Sequence, residues 1–187
     1  MRQAPRPKRP SKPLDAQRIE ELALAYVARF ATSAAKLGSY LRRKLRERGW
    51  EGDGDAPVEA IVARFVDVGY IDDEAYARSK SGSLLRRGYG ERRIGQALGA
   101  AGIAEDLREA VRSGPGEQRR AALALARKRR FGPWSASPPD RPQREKQISA
   151  MLRAGHPLDS ARELVNAASV EAAEEWAAEL DEDEPCD

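Results

Sequence analysis

One three-part pattern occurs three times along this chain, and the repetition limits what it can fold into more than any other feature. Glycines suited to stopping a helix stand at Gly49, Gly102 and Gly155, 53 residues apart each time. Each follows an amphipathic segment with apolar residues four apart: Leu41 and Leu45, Ile94 and Leu98, Ile148 and Leu152. Each precedes a short third stripe: Val58, Ile61, Val62 and Phe65, then Ile103, Leu107 and Val111, then Leu158, Ala161, Leu164 and Val165. A related string accompanies every copy, Ala-Tyr-Val-Ala-Arg from Ala25, Ala-Tyr-Ala-Arg from Ala75 and Ala-Leu-Ala-Arg from Ala124. A module of about 50 residues buries too little apolar surface to stand alone, so the copies are expected to share core across their junctions. The predicted fold is all-α, with three tandem three-helix repeats forming an elongated, curved array.

Helices also suit the residue types. Aromatic residues make up 6% of the chain, and Ala, Leu, Glu, Arg and Lys, which lose little side-chain entropy in a helix, outnumber the β-branched residues that favour strands. Asp15 reads as the N-cap of a first helix over about 15–31, with Leu14 stapled onto Ile19. Thr32 and Ser33 signal the cap of a second helix, and Pro57 suits the first turn of a third, which Gly69 would end. Trp50 and Trp176 are expected to be buried at helix ends, whereas Trp134, in a stretch over 131–139 that reads as an exposed loop, is the better interface candidate. The predicted modules are residues 15–70, 71–113 and 114–168. A basic, proline-rich arm over 1–14 has too little to bury and no helix-forming pattern, and is expected to be disordered; 169–187 forms an acidic C-terminal helix or tail.

Several chemistries are excluded. A single Cys186 and a single His156 allow no intramolecular disulfide, no Cys/His zinc site and no HExxH motif, which points to a reducing, cytoplasmic setting. A mean hydropathy of −0.68, with no long apolar run and no signal-peptide h-region, is not that of a membrane protein. No nucleophile–base pair or paired acids can be located, so no catalytic residue, cofactor or metal is expected.

The run Gly69-Tyr70-Ile71-Asp72-Asp73-Glu74-Ala75-Tyr76-Ala77-Arg78, followed by Arg87-Gly88-Tyr89-Gly90-Glu91-Arg92-Arg93-Ile94 and then Leu98, Gly102 and Ile103, resembles the RecX family, regulators of the recombinase RecA. The resemblance extends over roughly 15–168 and is strongest in the middle copy. It departs from the family pattern in the basic arm, the acidic tail, the Gly/Asp insertion after Trp50, Ala101 and His156. Within the run, Asp72 reads as an N-cap with Ile71 and Tyr76 as its staple, and Asp73 and Glu74 favour the positive end of the same helix. Gly88 and Gly90 permit a tight link between helices and form no phosphate loop, since neither the preceding strand nor a following Gly-Lys-Ser/Thr is present.

Charge is distributed unevenly. Residues 171–187 hold nine acids and no Lys or Arg, which leaves 33 basic residues against 21 acids, a net +12, in the rest of the chain. Such a body suits an anionic partner; the tail either screens that surface or serves solubility. Basic groups recur in corresponding places: Arg42, Arg43, Lys44 and Arg46; Arg86, Arg87, Arg92 and Arg93; Arg127, Lys128, Arg129 and Arg130. Solvated faces account for any one of these clusters. Their recurrence in a periodic array raises the alternative of an edge that meets a repeating anionic surface, whether carboxylate or phosphate. The resemblance implies a monomeric, non-enzymatic inhibitor that binds in the groove of the RecA–DNA filament and limits its extension, ATP hydrolysis and strand exchange. A sequence-nonspecific protein that binds single- or double-stranded DNA is the alternative.

Overall fold

The structure, a computed structural model, describes residues 12–180; most of the basic arm, the last seven residues and Cys186 with them lie outside that range. The chain divides after Asp73 into two compact units. Among the described residues there are ten α-helices and no β-strand, and no helix is long and apolar enough to cross a membrane.

The first unit contains α1 (Ala16–Val27), α2 (Ala34–Arg48) and α3 (Val58–Asp67). Asp15 caps α1, its carboxylate accepting from the Arg18 N–H at 2.8 Å, and the Ser33 hydroxyl accepts from the Lys36 N–H at the start of α2. Helix α1 stops four residues short of the expected end. Arg29 and Phe30 turn back onto the Tyr26 carbonyl, and Phe30 remains 54% exposed, so another helical turn would gain little burial. Leu14, fully buried, donates its N–H to the Gly49 carbonyl at 3.0 Å and accepts from the Glu51 N–H at 2.8 Å, which clamps the chain entry onto the end of α2. Ile19, Ala23, Leu37, Leu41, Val58, Ile61, Phe65 and Ile71 form the core.

The second unit begins at Glu74 and carries α4 (Asp73–Arg86) apart from its first residue, α5 (Glu91–Gly99), α6 (Glu105–Ala110), α7 (Pro115–Arg129), α8 (Arg141–Ala154), α9 (Leu158–Asn166) and α10 (Val170–Ala178). These supply the second and third modules and a final acidic helix. One core gathers Ala77, Leu84, Ile94, Leu98, Ala101 and Ile103; the other gathers Ala122, Leu125, Met151, Ala161, Leu164 and Val165. Tyr89 packs against both, so these two modules share core. The repeated Ala-x-Ala-Arg string does not mark equivalent places. It falls at the ends of α1 and α7 but in the first turn of α4, and the glycines and third helices carry the repeat instead.

Asp73 acts differently from its sequence reading. Its carboxylate accepts from the Ala34 N–H of α2 at 2.9 Å, and so satisfies an otherwise unpartnered helix-start donor 39 residues away. Asp73→Ala is expected to lower the thermal stability of residues 12–73 by about 1 kcal/mol, the usual worth of a cap. Thermal denaturation of the variant beside the wild type reads the change, and an unchanged midpoint would deny the contact.

Candidate functional site

The link between α4 and α5 organises the second unit. Gly88, at φ +82°, lets the backbone lie against Leu125 of α7. Gly90 donates its N–H to the Ala154 carbonyl at 3.0 Å and approaches so closely that a Cβ there would sit 2.5 Å from the Gly155 carbonyl. Gly155, at φ +101°, caps α8 and has equally little room against the backbone of Arg93. The Gly88-x-Gly90 pair is therefore a docking joint between modules as well as a tight connection. His156 completes the joint: it is buried, and its Nε2 lies 3.0 Å from the Gly88 carbonyl.

That contact has a pH consequence. Burial holds the His156 imidazole below its ordinary pKa of 6.5, against the opposing pull of the Gly88 carbonyl, and its Nδ1 has no hydrogen-bond partner among the described residues. In the unfolded chain the ring protonates near 6.5, whereas the folded chain resists protonation until lower pH. The stability linked to His156 is thus complete above about pH 6.5 and is lost as pH falls towards the depressed folded value. Urea midpoints should decline as pH falls below about 6.5, and the decline should be shallower in His156→Gln.

All eleven basic residues singled out from the sequence are exposed: Arg42, Arg43, Arg46, Arg86, Arg87, Arg92, Arg93, Arg127, Lys128, Arg129 and Arg130. Their neighbours separate them. In the first unit Arg42 pairs with Glu59 at 2.6 Å, Arg43 approaches Glu47 at 3.7 Å, and Lys44 pairs with Glu47 at 2.6 Å. Glu47 and Glu59 titrate below the ordinary carboxylate value, chiefly through the side-chain hydrogen bonds from Lys44 and Arg42. In the second unit Arg92 donates to the Leu152 carbonyl near the end of α8, so reversing its charge would also disturb the fold. Arg127 lies 3.9 Å from Glu174 of α10. This acidic helix also engages Arg119, which sits 4.5 Å over the Trp176 ring and 2.9 Å from Glu179. Arg119 was not marked by the sequence, because nothing in the spacing shows that α10 folds back along α7.

Arg86, Arg87, Arg93, Lys128, Arg129 and Arg130 have no carboxylate in ion-pair range among the described residues. Arg87, Lys128 and Arg129 converge. They line one cleft of about 100 Å³ with Tyr89, Leu125, Phe131, Ala150 and Ala154. Arg87 comes from the α4–α5 link, with its guanidinium 5.4 Å from the Tyr89 ring centre, while the other two come from the last turn of α7. Three cations around an apolar floor repel one another, and an anion seated between them would relieve that repulsion.

The stretch over 131–139 is not an exposed loop throughout. Residues Gly132–Trp134 form a short 3-10 turn, and Gly132, at φ +52°, is buried where a Cβ would lie 2.4 Å from the Leu164 carbonyl. Gln147 accepts the Gly132 N–H at 2.9 Å. Trp134 is half-buried, with one side of its ring packed against the third module's core, so the ring is not displayed on an open loop. Trp50 and Trp176, expected to be buried, are only half-buried as well, so burial does not separate the three tryptophans.

Residues 72–111 match the model of the second three-helix domain of RecX. The regulatory protein RecX of Myxococcus xanthus is 34% identical over 169 residues, which cover 86% of this chain and 90% of that protein. The chain belongs to the RecX family. A regulatory protein RecX of Thermus thermophilus is 37% identical over 108 residues, covering 58% of this chain and 71% of the relative. The crystal structure of RecX from Lactobacillus salivarius superposes with a TM-score of 0.62 at 19% identity, over 80% of this chain and 94% of that one. That likeness shows the shared helical fold, and the identity to the Myxococcus RecX supports a regulatory role.

Proposed function

We propose that the protein is a cytoplasmic, monomeric, non-enzymatic inhibitor of the recombinase RecA, built from modules at 15–70, 71–113 and 114–168. It binds in the groove of the RecA–DNA filament and limits filament extension, ATP hydrolysis and strand exchange. The observation that carries this reading is the convergence of Arg87 from one module with Lys128 and Arg129 from the next around a cleft without a carboxylate among the described residues. Weak cationic contacts supplied by successive modules add up when the partner presents its anionic groups at regular intervals, and remain weak against an isolated subunit.

The test is RecA ATPase on single-stranded DNA at several salt concentrations, with the protein alone as control. Hydrolysis should fall as protein is added, the protein alone should turn over no ATP, and inhibition should weaken with salt. Equal affinity for isolated RecA subunits and filaments would contradict the reading. Complete displacement by DNA alone would favour sequence-nonspecific DNA binding, with the cationic cleft engaging phosphates.

A further inference from the structure

The first unit carries a surface of opposite character to the cationic cleft. Of six exposed large apolar residues among those described, five lie there: Leu24, Phe30, Val66, Val68 and Tyr70. Leu24, Val68 and Tyr70, each at least half exposed, line one groove of about 370 Å³ with Phe65. The groove is preformed. The Tyr70 N–H donates to the Phe65 carbonyl at 2.9 Å, and its ring stands edge-on to Phe65 with centroids 5.4 Å apart.

The rim says what suits it. Glu20 and Arg64 pair across the groove at 2.9 Å and neutralise each other. Glu21 accepts from the uncharged Gln17 amide at 2.8 Å and has no cationic partner among the described residues. An apolar floor beside an uncompensated carboxylate disfavours a nucleic-acid backbone and favours an apolar segment that brings its own cation. We infer that this groove docks a segment of a partner protein in which an apolar side chain enters between Leu24, Val68 and Tyr70 and a flanking Lys or Arg meets Glu21.

The probes are two fluorescein-labelled amphipathic helical peptides, one with leucines on one face and lysines on the other, and its twin with glutamates for the lysines, titrated onto the full chain by anisotropy. The lysine peptide should bind the wild type more tightly, and Leu24→Ser/Tyr70→Ser should weaken it about tenfold or more. That ratio is decisive, because lysines also meet the acidic C-terminal residues in both proteins. Glu21→Gln should weaken the lysine peptide and spare its twin. Equal binding by wild type and double variant, or preference for the glutamate peptide, would overturn the inference. A concentration-dependent dimer that dissociates in the double variant would overturn it too, giving the groove to a second copy. RecA inhibition reads the cationic cleft and peptide anisotropy reads the groove, so either proposal can fail without the other.

Discussion

Gly90→Ala is expected to destabilise the second unit by about 3 kcal/mol, the cost of forcing a methyl group into a closed backbone contact. The added carbon would lie 2.5 Å from the carbon and oxygen of the Gly155 carbonyl and 2.6 Å from the His156 nitrogen. These are backbone atoms that no rotamer change can move aside. The link would have to withdraw from α8, weakening the Gly90–Ala154 hydrogen bond and opening the space around Tyr89, which joins two cores. Gly95→Ala is the control: it sits within α5 with nothing within 4 Å of its added carbon, and should be neutral or stabilising by about 0.5–1 kcal/mol from helix propensity. Urea unfolding followed by circular dichroism distinguishes them, and similar midpoints for the two variants would deny the close joint.

Much of this architecture is legible in the sequence because it depends on local rules. Asp15 and Ser33 are caps wherever the chain goes afterwards, and the four-residue spacing of Leu41 and Leu45 commits a helix face before its partner is known. The glycines at 49, 69 and 155 announce positive φ at helix ends, and each has it. What sequence conceals is long-range approach. Asp73 reads as part of its own helix start because nothing local says that Ala34 is beside it. Gly132 sits in a Pro- and Ser-rich stretch that resembles a surface loop, yet its missing side chain admits the α9 backbone. The basic clusters show the same divide: composition identifies exposed arginines, but only folding decides that Glu59 takes Arg42 and Glu174 lies beside Arg127, while Arg87 is left with Lys128 and Arg129.

Those three residues give the second large effect. Reversing them together, Arg87→Glu/Lys128→Glu/Arg129→Glu, is expected to weaken binding to RecA filaments on single-stranded DNA about a hundredfold at low salt. Each reversal removes one charge-assisted contact and adds a repulsion, and changes at a shared anion compound one another. Because all three side chains are exposed at a cleft whose floor is formed by other residues, the variant should keep its helicity and lose no more than about 2 kcal/mol of stability, the cost of acids in the last turn of α7, so the loss of binding is read on folded protein. Reversing Arg42, Arg43 and Arg46 is the comparison. Arg42 and Arg43 already have carboxylate neighbours in Glu59 and Glu47, so the loss there should be smaller.

The most direct measurement is the salt dependence of filament affinity for the wild type and the cleft variant. Cationic contacts to a polyanion release counterions, so the wild-type affinity should fall steeply with salt, and the variant should have a slope shallower by about two if all three groups meet phosphates. The account predicts two lines that differ most at low salt and converge as salt rises. Parallel lines with equal affinities would contradict it, since the Arg87, Lys128 and Arg129 cleft would then be a solvated surface with no part in binding.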